Sequence, residues 1–206
     1  MLIGRYLFRR KERLGRKNGK TSFRRSLALA LSLLERKSGA RLYIVARSSK
    51  QAEQSFQFIK HSLIANGMEN DVRIRDNTFE RSISADFGDD GSMRIEALAS
   101  NPDKHDSFNC NIAIADEIQA FKKRSQYNRF KEAMKRYTNK LMIGITTAGD
   151  NINSFCYRRL DYAAKVVNGT IKDDSLFCFI ARADQDEKGN VDYTNPVQHE
   201  KANPNY

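Results

Sequence analysis

The sequence contains few of the residues that metal clusters and disulfide frameworks need. Its three cysteines are widely spaced and lack the short paired spacing of a zinc site or a disulfide framework. Those cysteines are Cys110, Cys156 and Cys178. We therefore predict reduced thiols that pack as small hydrophobic residues. The three histidines show no ligand spacing either and are expected at the surface.

Long hydrophobic runs are also missing. No apolar run approaches the roughly 20 residues that a membrane-spanning helix needs. The N-terminal segment reaches Arg9 and Arg10 before it could serve as a signal peptide. The sequence therefore predicts a soluble protein of the cytoplasm.

Acidic residues are outnumbered by basic ones. The 206 residues include 25 Asp and Glu against 36 Lys and Arg, which gives a net charge of +11. A surface this basic concentrates polyanions, and nucleic acid is favoured over an anionic membrane. The hydrophobic fraction of 40% is ordinary for a folded protein. We expect one α/β domain with a tail, because the chain is too short for two full-sized domains.

Short apolar blocks alternate with longer amphipathic stretches, as in a parallel sheet whose faces are covered by helices. Strands are predicted at 42–46, 112–115, 141–146 and 176–180, and helices at 21–36, 50–66, 125–137 and 154–168. Residues 72–97 alternate between apolar and polar, with Asp89-Asp90-Gly91 as a turn, and predict antiparallel strands at a sheet edge. From Asp184 onward the chain is polar, and a linker or tail is expected.

The first segment with chemical content precedes the first predicted helix. It reads Gly15-Arg16-Lys17-Asn18-Gly19-Lys20-Thr21. In a Walker A loop, glycines let backbone N–H groups face a phosphate, the Lys reaches the outer phosphates and the Thr hydroxyl binds Mg²⁺. Leu14 stands where the full pattern has another glycine. The alternative interpretation is a basic surface turn that caps the helix.

A predicted strand ends in two adjacent acids, Asp116 and Glu117, as a Walker B element does. In such an element the first acid holds Mg²⁺ and the second polarises the attacking water. We expect this strand to lie beside the strand that enters the Gly-Lys-Thr loop. The alternative is that the two acids only cap the strand and begin the next helix.

A third segment follows the strand predicted at 141–146. Thr146, Thr147 and Gly149 stand where ligands of open parallel sheets bind, beyond the carboxyl ends of the strands. Hydroxyl groups there can sense a γ-phosphate. Taken alone, the segment is better explained by a Thr-rich turn with Gly149 at a positive φ angle.

Four segments, taken in order, resemble the large terminase subunit of tailed phages, a family that packages DNA into procapsids. They are Gly15-Arg16-Lys17-Asn18-Gly19-Lys20-Thr21, Ile114-Ala115-Asp116-Glu117-Ile118-Gln119-Ala120, Ile145-Thr146-Thr147-Ala148-Gly149 and Ala202-Asn203-Pro204-Asn205. The segment at 46–52 is also similar to the family's strand-to-helix junction after the P-loop. The resemblance implies a P-loop NTPase of the RecA-like class, with a mostly parallel sheet, flanking helices and antiparallel edge strands.

The resemblance also implies a role for each residue of the site. ATP would be bound by Arg16, Lys17, Asn18, Gly19, Lys20 and Thr21, and Mg²⁺ by Thr21 and Asp116. Glu117 would activate water, and Arg16 would act on the γ-phosphate as a second catalytic residue. Thr146, Thr147 and Gly149 would form the coupling motif.

The chain departs from the family at several positions. Gln119 stands where the family often has His, and Ser107 where it tends to have Gly. The charged residues 9–13 precede the loop, where a buried apolar strand is usual. Either residues 2–8 supply that strand, or the chain begins inside the domain. The family's adenine-contacting segment before the loop is not evident.

The sequence thus predicts a P-loop ATPase domain at 1–183 and a linker or tail at 184–206 that leads toward an absent nuclease domain. By resemblance, its partners would be double-stranded DNA, the portal protein, the small terminase subunit and further copies in a ring, in the host cytoplasm. Two alternatives remain: a nucleic-acid-binding terminase fragment with weak or no ATPase activity, and another P-loop translocase or helicase.

Basic residues cluster around the helix predicted at 125–137 and could contact DNA phosphates, which supply most non-specific affinity. They are Lys122, Lys123, Arg124, Arg129, Lys131, Lys135 and Arg136. The alternative is a solvated helix face without a ligand.

Overall fold

The structure is a computed structural model that describes residues 2–5, 20–46, 48–99, 109–121, 124–147, 151, 153–187 and 189–203. Among the described residues, three of the four short apolar blocks of the sequence form inner strands of a mixed sheet of eight strands, and the fourth, at 176–180, forms a strand at one end of it. The strands are β1 Leu2–Arg5, β2 Ala40–Ala46, β3 Arg73–Asp76, β4 Arg81–Asp86, β5 Ser92–Ala99, β6 Ile112–Asp116, β7 Leu141–Thr147 and β8 Cys178–Ala181. The predicted α/β fold with a mostly parallel sheet is confirmed.

Strand order in the sheet is β3-β4-β5-β2-β6-β7-β1-β8. The six strands from β5 to β8 in that order are parallel, while β4 pairs antiparallel with both β3 and β5. The alternating pattern at 72–97 therefore predicts the antiparallel edge correctly. Strand β5 belongs to both regions, because its other neighbour is the parallel strand β2.

Helices cover both faces of the sheet and bury one core on each. They are α1 Lys20–Leu34, α2 Ser49–Ala65, α3 Arg124–Ala133 and α4 Phe155–Val167, whereas a further helix, α5 Pro196–Ala202, belongs to neither core. The side chains of β2 alternate between the two cores: Leu42 and Ile44 pack with α1 and α2, and Tyr43 and Val45 pack with α3 and α4. A strand buried on both faces reads as a continuous apolar run, which is why these strands were recognisable in the sequence.

The four predicted helices are present as α1 to α4. The predicted neighbours of the strand that ends in Asp116 are wrong. The strand with Asp116 does not lie beside β1, because β7 pairs with both β6 and β1 and separates them. The acids still reach the same edge, since all three strands are parallel. Strand β1 falls within residues 2–8, so the apolar N-terminal piece does supply a strand of the sheet.

The segment from Asp184 onward contains more structure than a linker or tail requires. The segment contains the helix α5. Asn195 caps the start of this helix, because its side chain accepts a hydrogen bond from the backbone N–H of Val197. Ala202 is buried, and the side chain of Gln198 accepts a hydrogen bond from the Asp184 backbone. Among the described residues from Asp184 onward only Ala202 is buried, as expected for a polar segment, and the division of the chain at 184 stays a prediction.

The cysteines are free, as predicted, with Cys110 and Cys156 buried and Cys178 partly buried. Burial raises the pKa of the Cys110 thiol to about 12. Within the described part of the chain, no helix is both long and apolar enough to cross a membrane.

Candidate active site

The carboxyl ends of the parallel strands meet at one edge of the sheet, and the candidate site lies there. Helix α1 ends five residues before β2 begins, so its C-terminus lies at the opposite edge. Its 15 residues span about 22 Å at 1.5 Å per residue. The N-terminus of α1 therefore lies toward the same edge as the ends of β1, β6 and β7.

Asp116 and Glu117 stand at the end of β6. All five residues of β6 are buried, and Asp116, the last of them, is 8% exposed. Glu117 follows in the left-handed region with φ 56° and ψ 58°, and among the described residues no other non-glycine has a positive φ. Such a conformation costs an L-residue about 1–2 kcal/mol and is typical of functional sites. The chain turns there into a 3-10 turn, Ile118–Ala120.

The predicted coupling residues lie next to this turn. Gln119 donates from Nε2 to the Glu117 carboxylate and, at 2.9 Å, to Thr147 Oγ1. Its Oε1 accepts from Thr146 Oγ1, and its backbone N–H donates to the same hydroxyl oxygen at 3.2 Å. Thr147 Oγ1 lies 3.4 Å from Glu117 Oε2. The structure thus brings together Glu117, Thr146 and Thr147, which are far apart in the sequence.

Thr146 also contacts α4 through the Cys156 Sγ atom at 3.3 Å. Both residues are buried, with 1% and 2% of their surface exposed. Burial raises the pKa of the Cys156 thiol, the Thr146 hydrogen bond lowers it, and the nearby Glu117 charge raises it further. Cys156 is therefore a neutral thiol that holds the end of β7 against α4.

The register of the sheet connects this network to β1. Asp116 pairs with Ile145, so Thr146 and Thr147 extend beyond the end of β6. On the other side of β7 they pair with Gly4 and Arg5, the last residues of β1. The end of β7 is therefore shared between the acidic turn and the strand that precedes the Gly-Lys-Thr segment.

The predicted phosphate loop falls largely outside the described residues. This holds for Arg16, Lys17, Asn18 and Gly19, and also for Gly149 of the third segment. Lys20 and Thr21 form the first turn of α1, and the side chains of these two residues are likewise not among those described. The roles predicted for these residues stay predictions.

The residues present fit a magnesium–phosphate ligand by their chemistry. Mg²⁺ prefers hard oxygen ligands, usually one or two carboxylates with substrate phosphates, and Asp116 supplies a carboxylate at the strand edge. The first turn of α1 contains no acid that would repel a phosphate from the helix N-terminus. Among the described residues, no cluster of three or more His, Cys, Asp or Glu forms a metal site independent of substrate.

Two residues of the network were not assigned a site role from the sequence. The sequence indicates Gln119 only as a departure from the family and Cys156 only as a packing thiol. No local pattern signals the contacts of Gln119, because they require Glu117 in the left-handed region and a 3-10 turn that brings the side chain back toward β7. The contact between Cys156 and Thr146 depends on how α4 packs, which no local pattern reveals.

Comparison with known proteins identifies the family. Protein YmfN of Escherichia coli (strain K12) is 33% identical over 100 residues, which are 48% of this chain and 21% of that protein. The HK97 bacteriophage large terminase superposes with a TM-score of 0.74 at 18% identity, covering all of this chain and 39% of that one. The large terminase ATPase domain of Thermus phage P74-26 gives 0.52 at 14% identity, covering 73% of this chain and 61% of that one.

The chain therefore spans about a fifth of YmfN and well under half of the HK97 large terminase. Because both sequence identities are low, the two structural similarities show only that the fold is shared. The sequence family described as "Terminase large subunit, ATPase domain" matches residues 5–165, which are most of the chain. The chain belongs to the family of terminase large-subunit ATPase domains.

Proposed function

We propose that the chain is the ATPase part of a phage DNA-packaging motor, which hydrolyses Mg-ATP to move double-stranded DNA into a procapsid. The observation that carries the proposal is the hydrogen-bond network through Gln119 that links Glu117 to Thr146 and Thr147. It lies at the edge of the sheet where α1 begins. A P-loop ATPase needs a water-activating acid, a metal-binding acid and a phosphate-binding helix start at one edge. Family membership supports the same conclusion.

In the proposed reaction each residue has one task. Lys20 and the backbone at the start of α1 bind the ATP phosphates, and Arg16 stabilises charge on the γ-phosphate as it is transferred. Mg²⁺, held by Thr21 and Asp116, would neutralise phosphate charge. Glu117 accepts a proton from the water that attacks the γ-phosphorus, and the P–O bond to ADP breaks.

DNA is the proposed polyanion. The basic residues on and after α3 are exposed at Arg124, Arg129, Lys131, Lys135 and Arg136, whereas Lys122 and Lys123 lie outside the described residues. Glu132 is the one acid among residues 122–137, and it pairs with Lys135. The surface therefore keeps an excess of positive charge that suits the phosphate backbone. The proposed protein partners are the portal protein, the small terminase subunit and further copies of the chain in a ring. The proposed location is the host cytoplasm.

The proposal is tested by measuring ATP turnover with and without double-stranded DNA in the native chain and in Glu117→Gln. Turnover of the native chain should rise with DNA. The variant should lose about a hundredfold or more in kcat, since general-base catalysis contributes roughly 10²–10⁴-fold. Binding of ATP to the variant should persist.

Glu69→Gln is the matched control, because Glu69 is an exposed acid in the turn after α2 and away from the site. This control should keep native turnover. Equal and negligible rates in the native chain and in Glu117→Gln would instead favour a nucleic-acid-binding fragment without ATPase activity.

A further inference from the structure

We propose that Gln119 is a positioning residue of this site, which fixes the Glu117 carboxylate to the end of β7 and so makes water activation depend on the position of that strand. The inference rests on the proposed function and goes beyond it by assigning a role to a residue that has no task in the proposed reaction. It predicts how the base is oriented and which part of the fold controls that orientation.

Gln119 is chemically suited to this role. A carboxamide offers two N–H donors and a carbonyl acceptor, whereas an ionised carboxylate only accepts. The amino group must therefore face Glu117, and the carbonyl oxygen is left to accept from Thr146 Oγ1. The second N–H reaches Thr147 Oγ1 at 2.9 Å. One side chain thus satisfies a carboxylate and two hydroxyl groups.

The link through Gln119 is the main connection between the base and β7. The direct contact between Thr147 Oγ1 and Glu117 Oε2 is 3.4 Å, at the long limit of a hydrogen bond. Backbone contact adds to the link, because the Gln119 N–H also donates to Thr146 Oγ1. A displacement of Thr146 and Thr147 would therefore move Gln119 before it moved Glu117.

The partners of β7 determine what can move its end. Thr146 is held against Cys156 of α4, and Thr147 pairs with Arg5 at the end of β1. Strand β1 precedes the segment proposed to bind phosphate in the chain, with residues 6–14 between them. A change at that segment can thus reach the base through β1, β7 and Gln119.

The first test compares Gln119→Leu with the native chain. Leucine keeps the volume but removes both donors and the acceptor, so Glu117 loses its fixed orientation. We expect kcat for ATP to fall about tenfold to a hundredfold, KM for ATP to stay within about twofold, and stimulation by DNA to be lost. Gln57→Leu is the matched control, because Gln57 also donates to a carboxylate, Asp76, on the far side of the sheet. This control should leave all three values unchanged.

The second test uses Gln119→Glu. This change keeps the length of the side chain but removes the donor to the Glu117 carboxylate and adds a like charge beside it. The kcat for ATP should therefore fall at least as far as in Gln119→Leu, with KM for ATP within about twofold of native. A kcat close to that of the native chain would contradict the proposal.

A third measurement separates this inference from the proposed function. The urea midpoints of Gln119→Leu, Thr147→Val and the double variant need no ATP turnover. If the contact exists, the double variant should lose less than the sum of the two single losses. A native chain that hydrolyses no ATP would end the proposed function, and the cycle would still test the contact. Additive losses, or a native kcat in Gln119→Leu, would overturn the positioning role.

Discussion

At the scale of single residues, Glu117 combines a proposed catalytic side chain with an unfavourable backbone. Its φ of 56° is a conformation that glycine adopts freely and other residues do not. We expect Glu117→Gly to be more stable than Glu117→Ala by about 1 kcal/mol. Urea unfolding of the two variants measures this difference directly, because both lack the glutamate side chain.

The same pair of substitutions at Asp161 gives the control. Asp161 is an exposed residue in the middle of α4, and glycine within a helix is about 1 kcal/mol less favourable than alanine. The order of stability should therefore be reversed at this position. The same order at both positions would argue against a strained Glu117.

Glu80 illustrates how hydrogen bonds make stability depend on pH. It accepts from Ser82 Oγ, Arg75 and Arg94, and these contacts lower the pKa of its carboxyl from 4.5 to about 2. A carboxyl whose pKa is lower in the folded state stabilises the fold above the unfolded pKa. That stabilisation is lost as pH falls from about 4.5 toward 2.

Glu80→Gln should therefore be less stable than the native chain at pH 7, by about 1 kcal/mol for a network at the surface. The difference should shrink as pH falls below about 4.5, because the Glu80 carboxyl of the unfolded chain is then protonated while the folded one stays ionised until near pH 2. Free energies of unfolding at pH 7, 5 and 3 give the measurement. A constant difference across that range would show that the charge of Glu80 does not contribute.

At the scale of elements, the turn between β4 and β5 fits closely against the segment before β2. Gly91 has φ 94°, and a Cβ atom built there would lie 2.1 Å from the carbonyl oxygen of Arg36. Gly91→Ala therefore combines backbone strain with a clash against another backbone, and should cost at least about 2 kcal/mol. Gly169→Ala, with φ 75° and nothing within 4 Å, is the control. It should cost only about 1 kcal/mol, as urea unfolding would show.

The elements differ in how far the sequence could predict them. Strands β2, β6 and β7 and helices α1, α2 and α4 were predicted within one or two residues at most ends, because apolar periodicity follows burial. Helix α3 ends at Ala133 and not near Tyr137. Helix α5 was missed because a short polar helix with one buried alanine has no apolar period. The order of β1, β7 and β6 could not be predicted, because strand order depends on crossovers that no local pattern encodes.

The candidate site was also only partly predictable. Asp116, Glu117, Thr146 and Thr147 could be singled out because each follows an apolar strand, and parallel strands end at one edge. The connection through Gln119 could not be predicted, because it requires a left-handed residue and a 3-10 turn to return a side chain to β7. The roles of Lys20 and Thr21 stay predictions.

At the scale of the whole molecule, the excess of positive charge makes DNA binding depend on salt. Each neutralised phosphate contributes about 0.9 to the slope of log K against log salt for duplex DNA. Replacing Lys131, Arg136 and Lys140, which are exposed on and after α3, with alanine should lower that slope by up to about 3. Binding measured from 50 to 200 mM salt provides the slope.

Lys37, Lys50 and Arg73 provide the control for charge alone. They are exposed and lie on other elements, in or near α2, β2 and β3. Replacing these three with alanine removes the same charge but should leave the slope close to native. An equal loss in both triple variants would mean that net charge, and not the surface around α3, determines DNA binding.

The position of β1 has a consequence for how the chain folds during synthesis. Strand β1 comes before the other described strands in the chain, yet both its neighbours, β7 and β8, come from residues 141–147 and 178–181. The ribosome must add well over 100 residues before either partner exists, and such distant pairings form slowly. The region from β2 to β5, whose contacts are closer in sequence, can form earlier. Assembly of the proposed ATP site is therefore expected to be among the last events of folding.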